Sequence, residues 1–413
     1  MAFAFLSIVV LFLLFSCYKW PGITVAYLFF FQILNNSMFE QAGLQSFKYI
    51  TSILLLPILY YNCYSKIKVR VFKKLIFTSI ISKVYFLLLL YIILYAFLLG
   101  TSYEIVYLQK IIFPVTIFFV LALYFFNDAA IYKEVVIGVV LFSFLTLSYL
   151  YFFRGITSII NVGRLEISEE TGMGPIVQGR MAGMFGLTIL ILFFNSKKTS
   201  YKTSFLILFI TAFLWLALTG SRGPTLALIV MFLAYSYLTK SIFKFSIALV
   251  ILSLVAIPVL IYYGVLELAL FERLTELSSQ EDIESMKRYR RYLTFFDMPL
   301  GNFIFGLGPG GWGKKIALSD YSFPHNIIIE SIVEHGIMGA IFIFTIISTG
   351  FRQFYKRISN INSNLYMNIL LLWWGYYLLN TMVSGSFIQG NINFFTLTAI
   401  LACIHNQKNI YAN

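Results

Sequence analysis

The chain is a succession of long apolar runs separated by short polar segments. Most runs are about 17–25 residues long, the length that an α-helix needs to cross the hydrocarbon layer of a bilayer. Polar and apolar residues do not alternate within the runs, so the pattern favours helices over strands. It predicts helices over 2–18, 22–36, 47–63, 76–100, 107–126, 134–153, 177–194, 203–219, 224–239, 245–264, 326–350, 365–384 and 391–404.

Composition agrees with a membrane protein, since 60% of the 413 residues are hydrophobic and only 11% are charged. A water-soluble protein of this size could not bury so much apolar surface. The predicted fold class is an all-α polytopic integral membrane protein with about 12–13 transmembrane helices, forming a single membrane domain over 1–413. The first run has no charged segment before it and no small-residue cleavage site after it, so we expect a retained helix.

The net charge of +13 is concentrated in short segments that follow every second apolar run, as the positive-inside rule requires of cytoplasmic loops. This distribution orients the protein in a membrane and argues against nucleic acid as a partner. The C-terminal tail is then cytoplasmic, and Met1 lies outside with thirteen spans or inside with twelve. The clusters are Lys66, Lys68, Arg70, Lys73 and Lys74; Lys197, Lys198 and Lys202; Lys240 and Lys244; and Arg352, Lys356 and Arg357.

Two predicted outer segments, 154–176 and 265–325, are longer and more polar than the other connections. They carry 11 of the 17 acidic residues, and loops of such length usually have a function. Within the second loop, the apolar spacing over 270–298 predicts a short amphipathic helix on the membrane surface. The glycine-rich run over 306–311 predicts a tight irregular turn.

His325 directly precedes the predicted helix 326–350 and is one of three histidines in the chain. The helix dipole disfavours the imidazolium there, which leaves a neutral ring able to accept a proton. At 100° per residue, Gly336 and Gly339 are predicted to lie on the face of His325 and to permit close helix packing. Glu330 and Glu334 fall on the opposite side, either in ion pairs or lining a wet cavity.

Several arginines on the predicted outer side are candidates for binding a phosphate group. Ser221 and Arg222 lie in a minimal turn between two apolar helices, where an arginine and backbone amides can hold an anion. Arg222 is otherwise an interface anchor that reaches the headgroups. Further candidates are Arg164, Arg288, Arg290 and Arg291, for which solvation or pairing with local acids is the alternative. Arg180 is another candidate, and because it lies inside an apolar run an isolated surface role is not expected for it.

The predicted outer face contains no nucleotide-binding glycine pattern, acidic metal cluster or serine triad, so no cofactor or metal is expected. Nucleotide sugars and ATP are absent outside the cytoplasm, and a transferase there needs a lipid-linked donor. Cys17, Cys63 and Cys403 lie in or at the ends of apolar runs without metal-ligand spacing, which predicts packing in the core.

Together these residues resemble the O-antigen ligase and polymerase superfamily (Wzy/WaaL-type proteins), which are bacterial inner-membrane glycosyltransferases. The pattern His-[Asn/Ser/Gln]-x9-Gly-x-x-[Gly/Thr/Tyr] is met by His325, Asn326, Gly336 and Gly339. The segment 219–223 is similar to the short arginine turn of the family. Arg288 precedes the glycine turn where these proteins usually carry a loop arginine. The resemblance covers roughly 205–345.

The resemblance implies a GT-C-like helical fold and metal-independent transfer of a glycan from undecaprenyl pyrophosphate. In this scheme His325 is the base that activates the acceptor hydroxyl, and Arg222 and Arg288 hold the pyrophosphate. The substrate-binding candidates are Arg164, Arg180, Ser221, Arg290, Arg291, Asn326 and Glu330. A role for His325 in binding phosphate alone stays open.

We expect a polymerase, whose acceptor is a second lipid-linked repeat unit, because the long 265–325 loop suits two glycans. A ligase, which transfers the glycan to lipid A-core, and a transporter of lipid-linked sugars are the alternatives. Expected partners are the undecaprenyl-linked oligosaccharide, the lipid bilayer, a flippase and a chain-length regulator. The expected location is the bacterial inner membrane, with the active site facing the periplasm.

Overall fold

The computed structural model describes residues 2–31, 39, 44, 50–99, 113–154, 175–240, 295–313, 324, 326–358, 364–384 and 392–410, and none of these ranges contains a β-strand. In chain order the helices are α1 (Ala2–Lys19), α2 (Pro21–Phe30), α3 (Ile50–Cys63), α4 (Lys66–Thr78), α5 (Ile80–Leu99), α6 (Phe113–Phe125), α7 (Ala130–Arg154), α8 (Pro175–Asn195), α9 (Thr199–Leu218), α10 (Arg222–Leu238), α11 (Leu300–Phe305), α12 (Ile327–Ile358), α13 (Leu365–Ser384) and α14 (Ile392–Ile410).

Five of the described helices, α5, α7, α8, α9 and α12, are long and apolar enough to cross a membrane. Six shorter apolar helices of 10–17 residues accompany them in the described part of the chain. The predicted all-α polytopic membrane fold is therefore confirmed. The total of 12–13 spans and the GT-C-like arrangement stay predictions, and the predicted helix 245–264 lies outside the described residues.

The chain divides into two compact units, and the predicted single domain over 1–413 stays a prediction. The first unit comprises Met1–Tyr64, Asp128–Ser279 and Ile358–Tyr376, and the second comprises Ser65–Asn127, Gln280–Arg357 and Tyr377–Asn413.

Small residues let the helices of the first unit approach closely. A Cβ on Gly138 of α7 would lie 2.7 Å from the Ala26 Cβ of α2, so these two helices touch almost backbone to backbone. Helix α8 is the most enclosed of the long helices, with 78% of its apolar window buried. It is anchored by Trp373, whose indole N–H donates to the Thr188 hydroxyl at 2.9 Å. These contacts bury α8 within the first unit.

Aromatic packing dominates the second unit. The Tyr85 ring of α5 stacks on Phe119 of α6, with 3.8 Å between centroids and 10° between planes. The Cys403 thiol of α14 donates to the Leu123 carbonyl of α6 at 3.6 Å. Cys17, Cys63 and Cys403 form no disulfide and are buried, which confirms their predicted core packing.

The basic cluster at 66–74 was expected in a loop, and the structure shows the helix α4 there instead. Ser65 caps this helix, because its hydroxyl accepts the Lys68 amide at 3.0 Å. Leu75 on the opposite face is buried, and the ring of Phe72 meets that of Tyr124 edge to face. The loop prediction was wrong because it weighed the lysines and overlooked the apolar face between them.

The predicted outer loop 265–325 is described only over 295–313 and at Pro324. A short helix, α11, precedes the glycine turn that begins at Gly306. The predicted amphipathic helix over 270–298 and the predicted outer loop 154–176 lie almost entirely outside the described residues.

Candidate functional site

In the first unit, the turn between α9 and α10 has the form that the sequence predicts for an arginine turn. Ser221 is the buried residue before α10, and the half-buried Arg222 is the first residue of that helix. The Ser221 amide donates to the Thr219 hydroxyl at 3.3 Å, and the Thr225 hydroxyl donates to the Ser221 carbonyl at 3.0 Å. The first turn of α10 contains no acidic residue, so its positive dipole end is not neutralised within the helix.

Helix α8 contacts this turn through Gly179. A Cβ at Gly179 would lie 2.8 Å from the Ser221 Cβ and 3.1 Å from the Thr219 hydroxyl oxygen. The Tyr376 hydroxyl donates to the Gly179 carbonyl at 3.4 Å and holds this part of α8 from another direction. The absence of a side chain at Gly179 is therefore what allows the turn to settle against α8.

Arg180 follows Gly179 directly and is only 4% exposed. A guanidinium group remains charged at any physiological pH, and burying it within a membrane helix is costly. Its position inside an apolar run of the sequence already indicated that Arg180 has no isolated surface role. Gly179 lies against Ser221, so the segment that carries Arg180 is next to the segment that carries Ser221 and Arg222.

We expect Gly179→Ala to displace the arginine turn, since the added methyl overlaps Ser221, which is itself buried. Product formation should fall while the protein still accumulates in the membrane. Gly186→Ala on the same helix is the matched control. Its methyl would meet the flexible end of Leu228 at 3.1 Å, and its activity should stay close to wild type. Equal activity of the two variants would contradict a role for the Gly179 contact.

In the second unit, Asn326 caps α12. Its side-chain oxygen accepts the amides of Ile328 at 3.0 Å and Ile329 at 3.2 Å. Its side-chain nitrogen donates to the Met382 carbonyl at 3.2 Å. Asn326 thus fixes the start of α12, immediately after His325 in the chain.

Helix α12 breaks at Gly336, whose φ of 63° and ψ of −163° are not helical. The break frees the carbonyl oxygens that precede it, and a buried free carbonyl is costly. Three of these oxygens accept hydrogen bonds from outside the helix: Val333 from the Leu307 amide at 2.7 Å, Glu334 from the Gly308 amide at 3.0 Å, and His335 from the Tyr91 hydroxyl at 3.0 Å. The glycine turn and the broken helix therefore form one hydrogen-bonded structure.

We call the contact between the 304–308 backbone and the 333–336 backbone of α12 the crossing. Two glycines make it possible. A Cβ on Gly306, which has φ of 82°, would lie 2.6 Å from both the Glu334 carbonyl oxygen and the Gly336 nitrogen. A Cβ on Gly336 would collide with the Ile304 carbonyl. The crossing rests on a small apolar cluster of Phe295, Leu307, Trp312 and Val333.

The prediction that Gly336 and Gly339 continue the helical face of His325 assumed an unbroken helix, and the structure shows a break at Gly336. His325 itself lies outside the described residues. Helical spacing cannot be carried across Gly336, because its backbone leaves the helix. Gly336 allows the last residues of α11, Ile304 and Phe305, to approach its backbone.

Tyr91 and Tyr95 of α5 hold the crossing from one side. Their rings stack at 5.8 Å, and the Tyr95 hydroxyl donates to the Gly306 carbonyl at 3.0 Å. The Tyr91 hydroxyl donates to the His335 carbonyl in the same way. The two tyrosines therefore bind both backbone segments of the crossing, one at Gly306 and one at His335.

We expect Tyr91→Phe and Tyr95→Phe each to lower the free energy of unfolding by about 1–3 kcal/mol, because each leaves a carbonyl group without its donor. Thermal unfolding of the detergent-solubilised protein measures this. Tyr237→Phe is the control, since its side chain is 68% exposed, and should leave the melting temperature unchanged. Melting temperatures unchanged in all three variants would show that the hydroxyls do not support the crossing.

Glu330, Glu334 and His335 are buried on the helical segment before the break. Each has an interaction within the protein. The expectation that the two carboxylates are ion-paired or line a wet cavity stays a prediction. Sequence reasoning singled out both glutamates and overlooked His335. The only sequence signal for His335 is that it directly precedes Gly336. A glycine at this position is also compatible with an unbroken helix, so the signal alone does not indicate a break.

Five of the predicted site residues, His325, Arg164, Arg288, Arg290 and Arg291, lie outside the described residues. Their roles stay predictions, as do the substrate-binding roles of Arg180, Ser221, Asn326 and Glu330.

The described residues define the class of protein as an all-α polytopic membrane protein, with buried polar groups near an arginine turn and near a broken helix. Residues 206–344 match the protein family described as O-Antigen ligase. The resemblance predicted over roughly 205–345 is confirmed, and the match supports a function of the O-antigen ligase or polymerase type. Members of this family are glycosyltransferase-like enzymes. No curated protein sequence matches the chain.

Proposed function

We propose that this protein is a glycosyltransferase that joins undecaprenyl-pyrophosphate-linked oligosaccharide repeat units into O-antigen or capsular polysaccharide. The observation that carries the proposal is the family match over 206–344. That segment contains both Arg222 and the signature residues His325, Asn326, Gly336 and Gly339. The reaction takes place at the periplasmic face of the bacterial inner membrane, where lipid-linked glycans are the available donors.

In the proposed reaction, a hydroxyl oxygen of the acceptor sugar attacks the anomeric carbon of the donor glycan. The bond between that carbon and the pyrophosphate oxygen breaks, and undecaprenyl pyrophosphate leaves with the bonding electrons. The acceptor hydroxyl gives its proton to a base. Catalysis therefore needs a proton acceptor at the attacking oxygen and positive charge at the leaving group.

The residues of the chain fit these two needs. His325 is the base, in a position of the chain directly before the capped start of α12. Arg222 and Arg288 bind the pyrophosphate, and Arg164, Arg180, Arg290 and Arg291 contribute to substrate binding. Guanidinium groups supply the positive charge that a metal ion supplies in other transferases, so activity of the purified protein should persist in EDTA.

The preferred acceptor is a second lipid-linked repeat unit, because the 265–325 segment is long enough to accommodate two glycans. Transfer to lipid A-core is the second candidate, and the description of the matched family as a ligase favours it. A lipid-linked sugar transporter is a weaker fit, since transporters build central sites from several discontinuous helices. Apart from Arg180, the arginines proposed to bind phosphate lie in segments predicted on the outer face.

Deletion of the gene, followed by gel analysis of surface polysaccharide and of the lipid carrier, separates these functions. For a polymerase we expect lipid A-core that carries a single repeat unit and no ladder, restored by the wild-type gene. Long chains retained on the carrier, with no capped lipid A, would establish a ligase. Loss of every glycan from the outer face would establish a flippase. A ladder equal to wild type would refute all three.

A further inference from the structure

Helix α4 presents a basic face that the proposed function does not use. The helix contains five cations and no acidic residue in thirteen positions. It ends at Thr78, the backbone of Ser79 is extended with φ of −71° and ψ of 126°, and α5 begins at the next residue. Because α5 is a candidate membrane span, α4 adjoins the end of a transmembrane helix.

The apolar face of α4 is held by the protein rather than left for a membrane. Leu75 is 1% exposed, and Phe72 packs against Tyr124 with 5.7 Å between ring centroids. The Asn127 side chain donates to the Lys68 carbonyl at 3.1 Å and fixes the first turn of the helix. The orientation of the opposite face is therefore determined by the fold.

That opposite face carries Arg70, Lys73, Lys74 and Phe77, all exposed. At 100° per residue, these four side chains fall within an arc of about 100° around the helix. Lys83, in the first turn of α5, is also exposed. Among the described residues, no acidic side chain pairs with any of these four cations.

Phe77 indicates the kind of partner. Its ring is 72% exposed in the middle of the cations, an arrangement that is unfavourable in water alone. In the headgroup layer of a bilayer each group finds a partner, because phosphates attract the cations and the interfacial region accepts the aromatic ring. Lys83 indicates that the headgroup layer lies near the start of α5, since a lysine near the end of a membrane helix extends its ammonium group to the interface.

We propose that Arg70, Lys73, Lys74 and Lys83, together with Phe77, form a binding surface for anionic phospholipid headgroups beside the first turn of α5. This surface is independent of the proposed glycosyltransferase function and of the residues assigned to it. It also goes further than the orienting effect of positive charge, because it requires selective retention of anionic lipids.

The test is lipid retention by the purified full-length protein. The protein is solubilised in neutral detergent with an equimolar mixture of phosphatidylglycerol and phosphatidylcholine, and the bound lipids are counted by native mass spectrometry. Wild-type protein should retain phosphatidylglycerol in preference. The variant with Arg70→Gln, Lys73→Gln and Lys74→Gln should lose this preference. The ratio of retained phosphatidylglycerol to phosphatidylcholine should fall by about fivefold for each cation removed. Phe77→Ala should weaken retention of both lipids.

The matched control removes three other exposed cations, with Lys197→Gln, Lys198→Gln and Lys202→Gln at the start of α9. This control should keep the wild-type preference. The proposal is overturned if the α4 variant keeps the preference, if both triple variants lose it equally, or if Phe77→Ala has no effect. It is also overturned if inorganic phosphate at millimolar concentration displaces the lipid, since the surface would then take a free anion. Melting temperatures of all variants establish that each is folded.

Discussion

Replacing Gly336 with alanine is expected to prevent the second unit from reaching its native structure. The φ of 63° and ψ of −163° lie in a region that only glycine adopts readily, and backbone strain there costs about 1–3 kcal/mol. The added methyl would also collide with the Ile304 carbonyl, which belongs to backbone and cannot move aside as a side chain can. The protein should accumulate poorly, and the remainder should unfold at a clearly lower temperature and form no product.

Gly301→Ala is the matched control for this substitution. Gly301 lies in α11, a few residues before the crossing, and a Cβ there meets nothing within 4 Å. Its free energy of unfolding should change by no more than about 0.5 kcal/mol. A Gly336→Ala protein with the melting temperature of Gly301→Ala would show that the helix break is not required for folding.

Gly336 also shows which features of the fold can be predicted from sequence and which cannot. Apolar runs of membrane-spanning length predicted most helices within a few residues, because the bilayer imposes length and hydropathy on each span independently. The break in α12 has no such local signal. A single glycine in an apolar run reads as tolerated helix interior, and its cause is the distant 304–308 backbone. Contacts of this kind require knowledge of which segments meet.

Helix α4 was not predicted for the opposite reason. Its helical pattern is local, but the pattern of cations in the same segment favoured a loop. Five cations in one stretch are typical of a cytoplasmic loop, and the positive-inside rule weighs charge without asking whether the segment is helical. The cap at Ser65 and the apolar position at Leu75 carry the helical pattern. Both are visible in the sequence once helical spacing is tested there.

Among the candidate site residues, sequence succeeded where burial itself is the signal. Arg180 and Glu330 stand out because charged residues within apolar runs are rare, and both are buried in the structure. His335 did not stand out, because its neighbours gave no reason to prefer it over His325. The hydrogen bonds that link the glycine turn to α12 join backbone groups, which every residue carries, and sequence cannot rank them.

The largest effect on activity is expected from His325. Loss of a general base lowers a rate by about 10²–10⁴-fold, so His325→Ala should abolish detectable polymer while the protein accumulates normally. His325→Gln separates the two roles left open for this residue. Glutamine can donate a hydrogen bond to a phosphate oxygen but cannot accept a proton at neutral pH. If His325 is the base, Gln and Ala should be equally inactive; substantial activity of the Gln variant would assign His325 to phosphate binding instead.

The control for this prediction is His405→Ala, which removes a half-buried histidine from α14 and should leave product unchanged in amount and chain length. Product is measured from membranes supplied with undecaprenyl-linked repeat units, so that export and synthesis of the precursor do not limit the result. An effect of His405→Ala equal to that of His325→Ala would point to loss of folding rather than chemistry. Wild-type product from His325→Ala would remove the base from the scheme and leave the arginines alone to account for catalysis, because positive charge at the leaving pyrophosphate is the other requirement of the reaction.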